Sequence, residues 1–190
     1  MVALAVGAGL FYGGYGPMGL KDREGARNPR EVKAQLDGTL QAAMGAIVPP
    51  MAYYGGFYAV DRGPEHADGE PNLLSSVREV VSARTKVAQA KIPVLLDRMT
   101  QLWGDCRRSD STESSVVTHY TELHCSGRGD AVFTLTVVSS TTDSTVRVLM
   151  SADAFGVHYQ PEKDYGAPPI GERPTGRDPA PDVDDPYWSH

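Results

Sequence analysis

The sequence contains no phosphate-binding loop, dinucleotide fingerprint, GxSxG elbow, HExxH pair or paired CxxC. The local signatures of nucleotide binding, serine hydrolysis and structural zinc are therefore missing. Serine-rich stretches supply hydroxyls, but no base is held beside them by motif. Positive charge is sparse and scattered. Of the formal net charge of −6, residues 152–190 carry −5, with eight acidic residues against three basic ones, which leaves the body near neutral. A chain with no basic stripe and an acidic end has no electrostatic footprint for a phosphate backbone, so nucleic acid is excluded as a partner.

Charge is absent altogether from MVALAVGAGLFYGGYGPMGL, and the first basic residue is Lys21. About 20 apolar residues are needed to cross a bilayer, and this run gives way to Gly13, Gly14, Gly16 and Pro17. It also lacks the basic start of a secretory signal. The expectation is that residues 1–20 are the inner part of a membrane anchor whose basic flank lies upstream of Met1. A buried or frayed N-terminal segment is the alternative.

What is present fits one domain of ordinary core size. In NPREVKAQLDGTLQAAMGAIVPP, Asn28 is a helix cap, Pro29 suits the first helical position, Glu31 stands where a capping box wants it, and Pro49 and Pro50 end the run. Val32, Leu36, Leu40, Met44 and Ile47 recur at spacings of three and four, giving an amphipathic helix. Gly38 and Gly45 each cost such a helix about 1 kcal/mol relative to Ala, so it depends on a partner surface. The aromatic run that follows has no sustained period; residues 53–60 read as a loop or short strand and 61–71 as an exposed loop. Residues 77–87 are β-branched enough for a strand, although Ser76 followed by Glu79 also resembles a capping box.

A second helix is expected in IPVLLDRMTQLWGD, with Pro93 near its start, Leu95, Leu96, Met99, Leu102 and Trp103 as its apolar stripe, and Gly104 as its stop. Four β-rich pieces follow, at 106–109, 116–125, 131–138 and 145–150, separated by short polar turns as in an antiparallel meander. The fold class is therefore α+β: an antiparallel meander sheet with two helices packed on one face. Residues 28–151 form the domain. Residues 152–190 form a Pro/Gly-rich acidic tail, mostly extended or disordered, in which Tyr187 and Trp188 are out of place unless they dock.

A hairpin turn centred near Ser115 sets Cys106 opposite Cys125, where Cβ atoms lie close enough for a cross-strand disulfide. Such a bond closes a loop of about 18 residues, contributes roughly 3 kcal/mol, and persists in an oxidising compartment. Two free thiols in a cytosolic protein are the alternative.

HYTELH invites a metal reading, but strand alternation puts His119 on the face opposite Glu122 and His124, leaving two ligands where zinc takes three or four; no metal and no cofactor are expected. Tyr120, Glu122 and His124 share a face and are the best acid/base grouping in the chain. Arg128-Gly129-Asp130 falls at a hairpin tip, where turn chemistry accounts for Gly and Asp without an adhesion role. Asp182, Asp184 and Asp185 lack the spacing of a calcium loop.

EVKAQLDGTLQAAMGAIVPP, ARTKVAQAKIPVLLDRMTQLW and the closing PDVDDPYWS together resemble a group of small actinobacterial proteins with an N-terminal membrane segment, an extracytoplasmic α+β domain and a Pro-rich tail. The resemblance implies architecture and location, and brings no activity with it. The expected function is that of a non-enzymatic cell-envelope module, membrane-anchored or secreted. It would bind an unidentified protein or envelope component through the aromatic residues Tyr53, Tyr54, Phe57 and Tyr58. The alternative is an extracytoplasmic hydrolase-type enzyme using Tyr120, Glu122 and His124.

Overall fold

The computed structural model describes residues 26–64, 72–113, 118–127, 131–140, 146–171 and 180–190. The apolar segment at 1–20 and the Arg-Gly-Asp tripeptide lie outside them.

Helix α1 spans Pro29–Ala46, with the Asn28 side chain accepting from the Arg30 amide and Pro29 in the first turn. It buries Val32, Leu36, Thr39, Leu40 and Ala43, and each large apolar side chain removed from water contributes about 1.5–3 kcal/mol. Helix α2 spans Ile92–Trp103 and buries Leu95, Leu96 and Met99. Its end is set by Gly104, whose φ of +77° favours glycine and whose amide donates to the Thr100 carbonyl. The predicted stripe is one residue too wide, since Leu102 remains 37% exposed.

Six strands form one antiparallel sheet. They are β1 Tyr53–Arg62, β2 Leu74–Ala83, β3 Cys106–Glu113, β4 Thr118–Ser126, β5 Val132–Ser140 and β6 Val146–His158, in the spatial order β1-β2-β6-β5-β4-β3. Of the two readings of residues 53–60, the strand is the one that forms, and it runs on to Arg62. Gly55, with φ +90°, and Gly56 sit in a bulge opposite β2, which breaks the alternation that would have advertised a strand. Gly56 also needs to be glycine for space: a Cβ there would lie 2.9 Å from the Val80 carbonyl oxygen and 3.3 Å from Pro168. Strand β6 runs past residue 151 to His158, so the tail leaves the sheet later than expected. Its Ala152 and Ala154 are fully buried, and α1 packs against β6 and β2.

Register aligns whole rows of side chains. Tyr58, Glu79, Ala152, Phe133, Cys125 and Cys106 lie side by side across the six strands. Asp37 of α1 accepts a hydrogen bond from Tyr58, and Trp103 of α2 stacks 5.5 Å from Phe133. The adjacent row, Phe57, Val80, Ser151, Thr134, His124 and Arg107, points to the other face by strand alternation. Cys106 and Cys125 are disulfide-bonded and directly paired, as the hairpin arithmetic requires.

The described parts of the tail are packed. Tyr165 is buried against Tyr58, with ring centroids 5.5 Å apart, and the Gly171 carbonyl accepts from the Gly56 amide. Residues 180–190 form a strap across the segment between β2 and α2. Val183 bridges Thr85 in parallel, and the Ala88 amide donates to the Trp188 carbonyl. Trp188 is fully buried, its indole N–H donating 2.8 Å to the Pro49 carbonyl. The aromatic end of the tail thus docks, and a tail without persistent structure does not describe it.

Candidate functional site

The aromatic residues of β1 separate into different roles. Tyr58 is 6% exposed and belongs to the core, where burial first, and then the neighbouring Asp37, push its phenol far above the usual range. Tyr53 is half-buried; its hydroxyl has no hydrogen-bond partner among the described residues, and burial raises its pKa. Tyr54 donates 2.7 Å to the Ala180 carbonyl and lies under the Arg84 guanidinium. Phe57 is presented outward at 37% exposure. Of the four residues named for binding, Phe57 is the most exposed, and Tyr54 is half-exposed beneath Arg84.

Tyr120, Glu122 and His124 do share a face of β4, but they do not form a trio. His124 Nε2 lies 3.3 Å from Glu122 Oε2, while its Nδ1 meets Thr134 Oγ1 at 3.1 Å. Tyr120 instead donates 3.3 Å to Glu113 of β3, and burial and that carboxylate raise its pKa. The nearest concavity, lined by Asp105, Arg107, His124, Ser126 and Val132 beside the disulfide, holds about 210 Å³. Ligand clefts run from about 300 Å³ upward, so this is a shallow depression. His119 pairs with Thr112 rather than with Glu122 or His124. Among the described residues no group of three or more His, Cys, Asp or Glu side chains is placed to hold a metal.

The carboxylates of the strap are all engaged. Asp182 pairs with Arg84, whose guanidinium holds its carboxyl below the usual range, and Asp184 pairs with Lys86. Asp185 accepts from the amides of Tyr187 and Trp188.

One polar cluster was not anticipated. Glu79 is 1% exposed on β2, in the row beside Tyr58. Lys33 donates 2.7 Å to Asp37 and 2.9 Å to the Tyr58 hydroxyl. Burial, and then the Asp37 carboxylate, push the Glu79 carboxyl up to about 8, and its Oε2 has no hydrogen-bond partner among the described residues. A carboxyl that holds its proton beside a carboxylate, an ammonium and a phenol has the chemistry of a general acid. Its 1% exposure keeps it away from solvent in this structure. In this fold it anchors α1 to β1 and β2 through polar contacts. The sequence carried a signal for it: Val77-x-Glu79-x-Val81 puts an acid at an inward position of an alternating strand.

Comparison with protein-family models, with curated proteins and with solved structures finds no match for this chain. Among the described residues the disulfide bears on location, because such bonds persist in oxidising compartments. Among the described residues no helix is long and apolar enough to cross a membrane.

Proposed function

We propose that this chain is a non-enzymatic module of the cell envelope, displayed outside the membrane, secreted or held there by its N-terminal apolar segment. It resembles small actinobacterial envelope proteins in the segments quoted above. In this reading α1 and α2 form one layer over the Tyr58–Cys106 face, β3 to β6 form a meander, and the face bearing Phe57, Thr134 and His124 meets a protein or envelope component. The observation that carries it is that the best acid/base grouping lies on this face without a cleft of ligand size. The half-exposed residues there, Val80, Leu149 and Val138 among Thr134, Thr136 and Ser151, have the mixed apolar and polar character of a non-obligate interface.

Site-specific photo-crosslinking in the host tests it. A crosslinker at Phe57 or Thr134 should trap a discrete adduct that is missing when the same group is placed at the exposed Gln41 of α1. Equal labelling from all three positions, or none from the sheet face, would sink the proposal. Catalytic turnover lost on Glu122→Gln would instead favour the hydrolase.

A further inference from the structure

We propose that the outer edge of β3 is a self-association surface, which pairs antiparallel with β3 of a second copy of this chain about a two-fold axis through Ser109. The edge is eight residues long, and its register with β4 is unbroken from Cys106 opposite Cys125 to Glu113 opposite Thr118. The disulfide clips one end of β3 to β4, which holds the edge in extended form before any partner arrives.

The direction of the backbone groups follows from two observations. Cys106 and Cys125 have a Cα–Cα distance of 4.1 Å, the close spacing of a pair that does not exchange hydrogen bonds. One position earlier, the Ser126 amide donates 3.1 Å to the Asp105 carbonyl. Odd-numbered residues of β3 are thus bonded to β4, and Cys106, Arg108, Asp110 and Thr112 turn their N–H and C=O groups outward. Among the described residues those four amides have no hydrogen-bond partner. An edge of this kind is a template for another strand.

Charge selects the occupant and the register. Outward-facing residues must pair with outward-facing residues, so only registers that match even positions are available. Setting Asp110 opposite Asp110 brings two carboxylates together, and Arg108 opposite Arg108 brings two guanidinium groups together. Arg108 opposite Asp110 satisfies both charges twice through the symmetry, and sets Cys106 opposite Thr112 and Ser109 opposite Ser109. Within the single chain Arg108 Nε already reaches Asp110 at 3.0 Å, with both side chains more than half exposed, so the exchange costs little rearrangement. About eight backbone hydrogen bonds form between the copies.

Sedimentation of the oxidised protein across a concentration series tests this. Wild type should show a reversible dimer. Arg108→Asp and Asp110→Arg each set like charges opposite one another, and each should weaken the dimer at least tenfold. An equimolar mixture of the two variants restores opposite charges at both contacts, so it should dimerise as wild type does. Thr112→Pro removes one outward amide and the exposed Thr112–His119 contact while leaving the backbone ladder to β4 in place, and should give a monomer whose circular dichroism is unchanged and whose melting shifts little. The proposal is overturned if wild type remains monomeric at about 1 mM, the weak end of the affinity scale. It is equally overturned if the dimer persists in Thr112→Pro, or if the mixed variants fail to associate.

Discussion

The two edges of the sheet are treated in opposite ways. The outer side of β1 is covered by the chain itself: Gly56 donates to Gly171, the Val60 amide donates to Glu162, and Pro168 closes over the glycine. The side chains of β3 are largely exposed and carry charges of both signs, and among the described residues β4 is its one extensive neighbour. A sheet with helices on it needs both edges managed against indiscriminate pairing. Here one edge is closed by covering, and the other is left readable by a pattern of charge. The tail is therefore part of the domain's packing, and the acidic bias that reads as disorder in the sequence is matched to Arg84 and Lys86.

That contrast breaks in order of expected effect. Replacing Trp188 by Ala removes the largest fully buried side chain and the bond to Pro49, at a cost of about 3–5 kcal/mol. Urea unfolding should record the loss, and hydrogen exchange should show the strap-bonded amides of Lys86 and Ala88 opening while those of β4 and β5 stay protected. Replacing both Cys106 and Cys125 by Ser acts on the other side. Stability should fall by roughly 3 kcal/mol, and added exchange should appear first at β3. Fraying at β1 instead would mean that the two edges are not independent.

Glu79 lies between the edges and sharpens the contrast through pH. In the folded protein its carboxyl keeps its proton up to about 8, whereas an exposed Glu releases it near 4.5. Between those values the folded state binds more protons than the unfolded one, so the contribution of Glu79 to stability falls as pH rises through that window, then levels off. Thermal melting of wild type should follow that slope and Glu79→Gln should flatten it. The smallest change is a control on α1. Gly38 is exposed, and a Cβ there meets nothing within 4 Å, so Gly38→Ala should add about 0.5–1 kcal/mol and leave exchange at both edges alone.

Local rules carried much of this structure into view. Asn28 with Pro29, and Gly104, marked helix ends through backbone chemistry that acts within a few residues. Alternation on β3 and β4 placed the two sulfurs opposite each other before any tertiary contact was considered. Hidden features were those decided by distant neighbours. Strand β1 is masked by the Gly55-Gly56 bulge and is recruited by β2 and the tail. The end of β6 reads as part of a tail because Ala152 and Ala154 are small, a feature that allows α1 to lie close. The Glu79 cluster joins residues from α1, β1 and β2, so only the misplaced acid at position 79 was visible. Phe57 stood in the aromatic run from the start, but nothing local distinguished it from Tyr58, which packs in the core.

Strand β6 has a further consequence for how the molecule is made. Its residues 146–153 pair with β5 and its residues 149–158 with β2, so it is the seam between the β1–β2 hairpin, early in the chain, and the three strands β3, β4 and β5 that come later. An isolated two-stranded hairpin is marginal in water. During synthesis, the part of α1 that packs against β6 therefore stays uncovered until residue 158 has emerged. The nascent chain passes through an interval in which its apolar surface needs a chaperone or a rapid final closure.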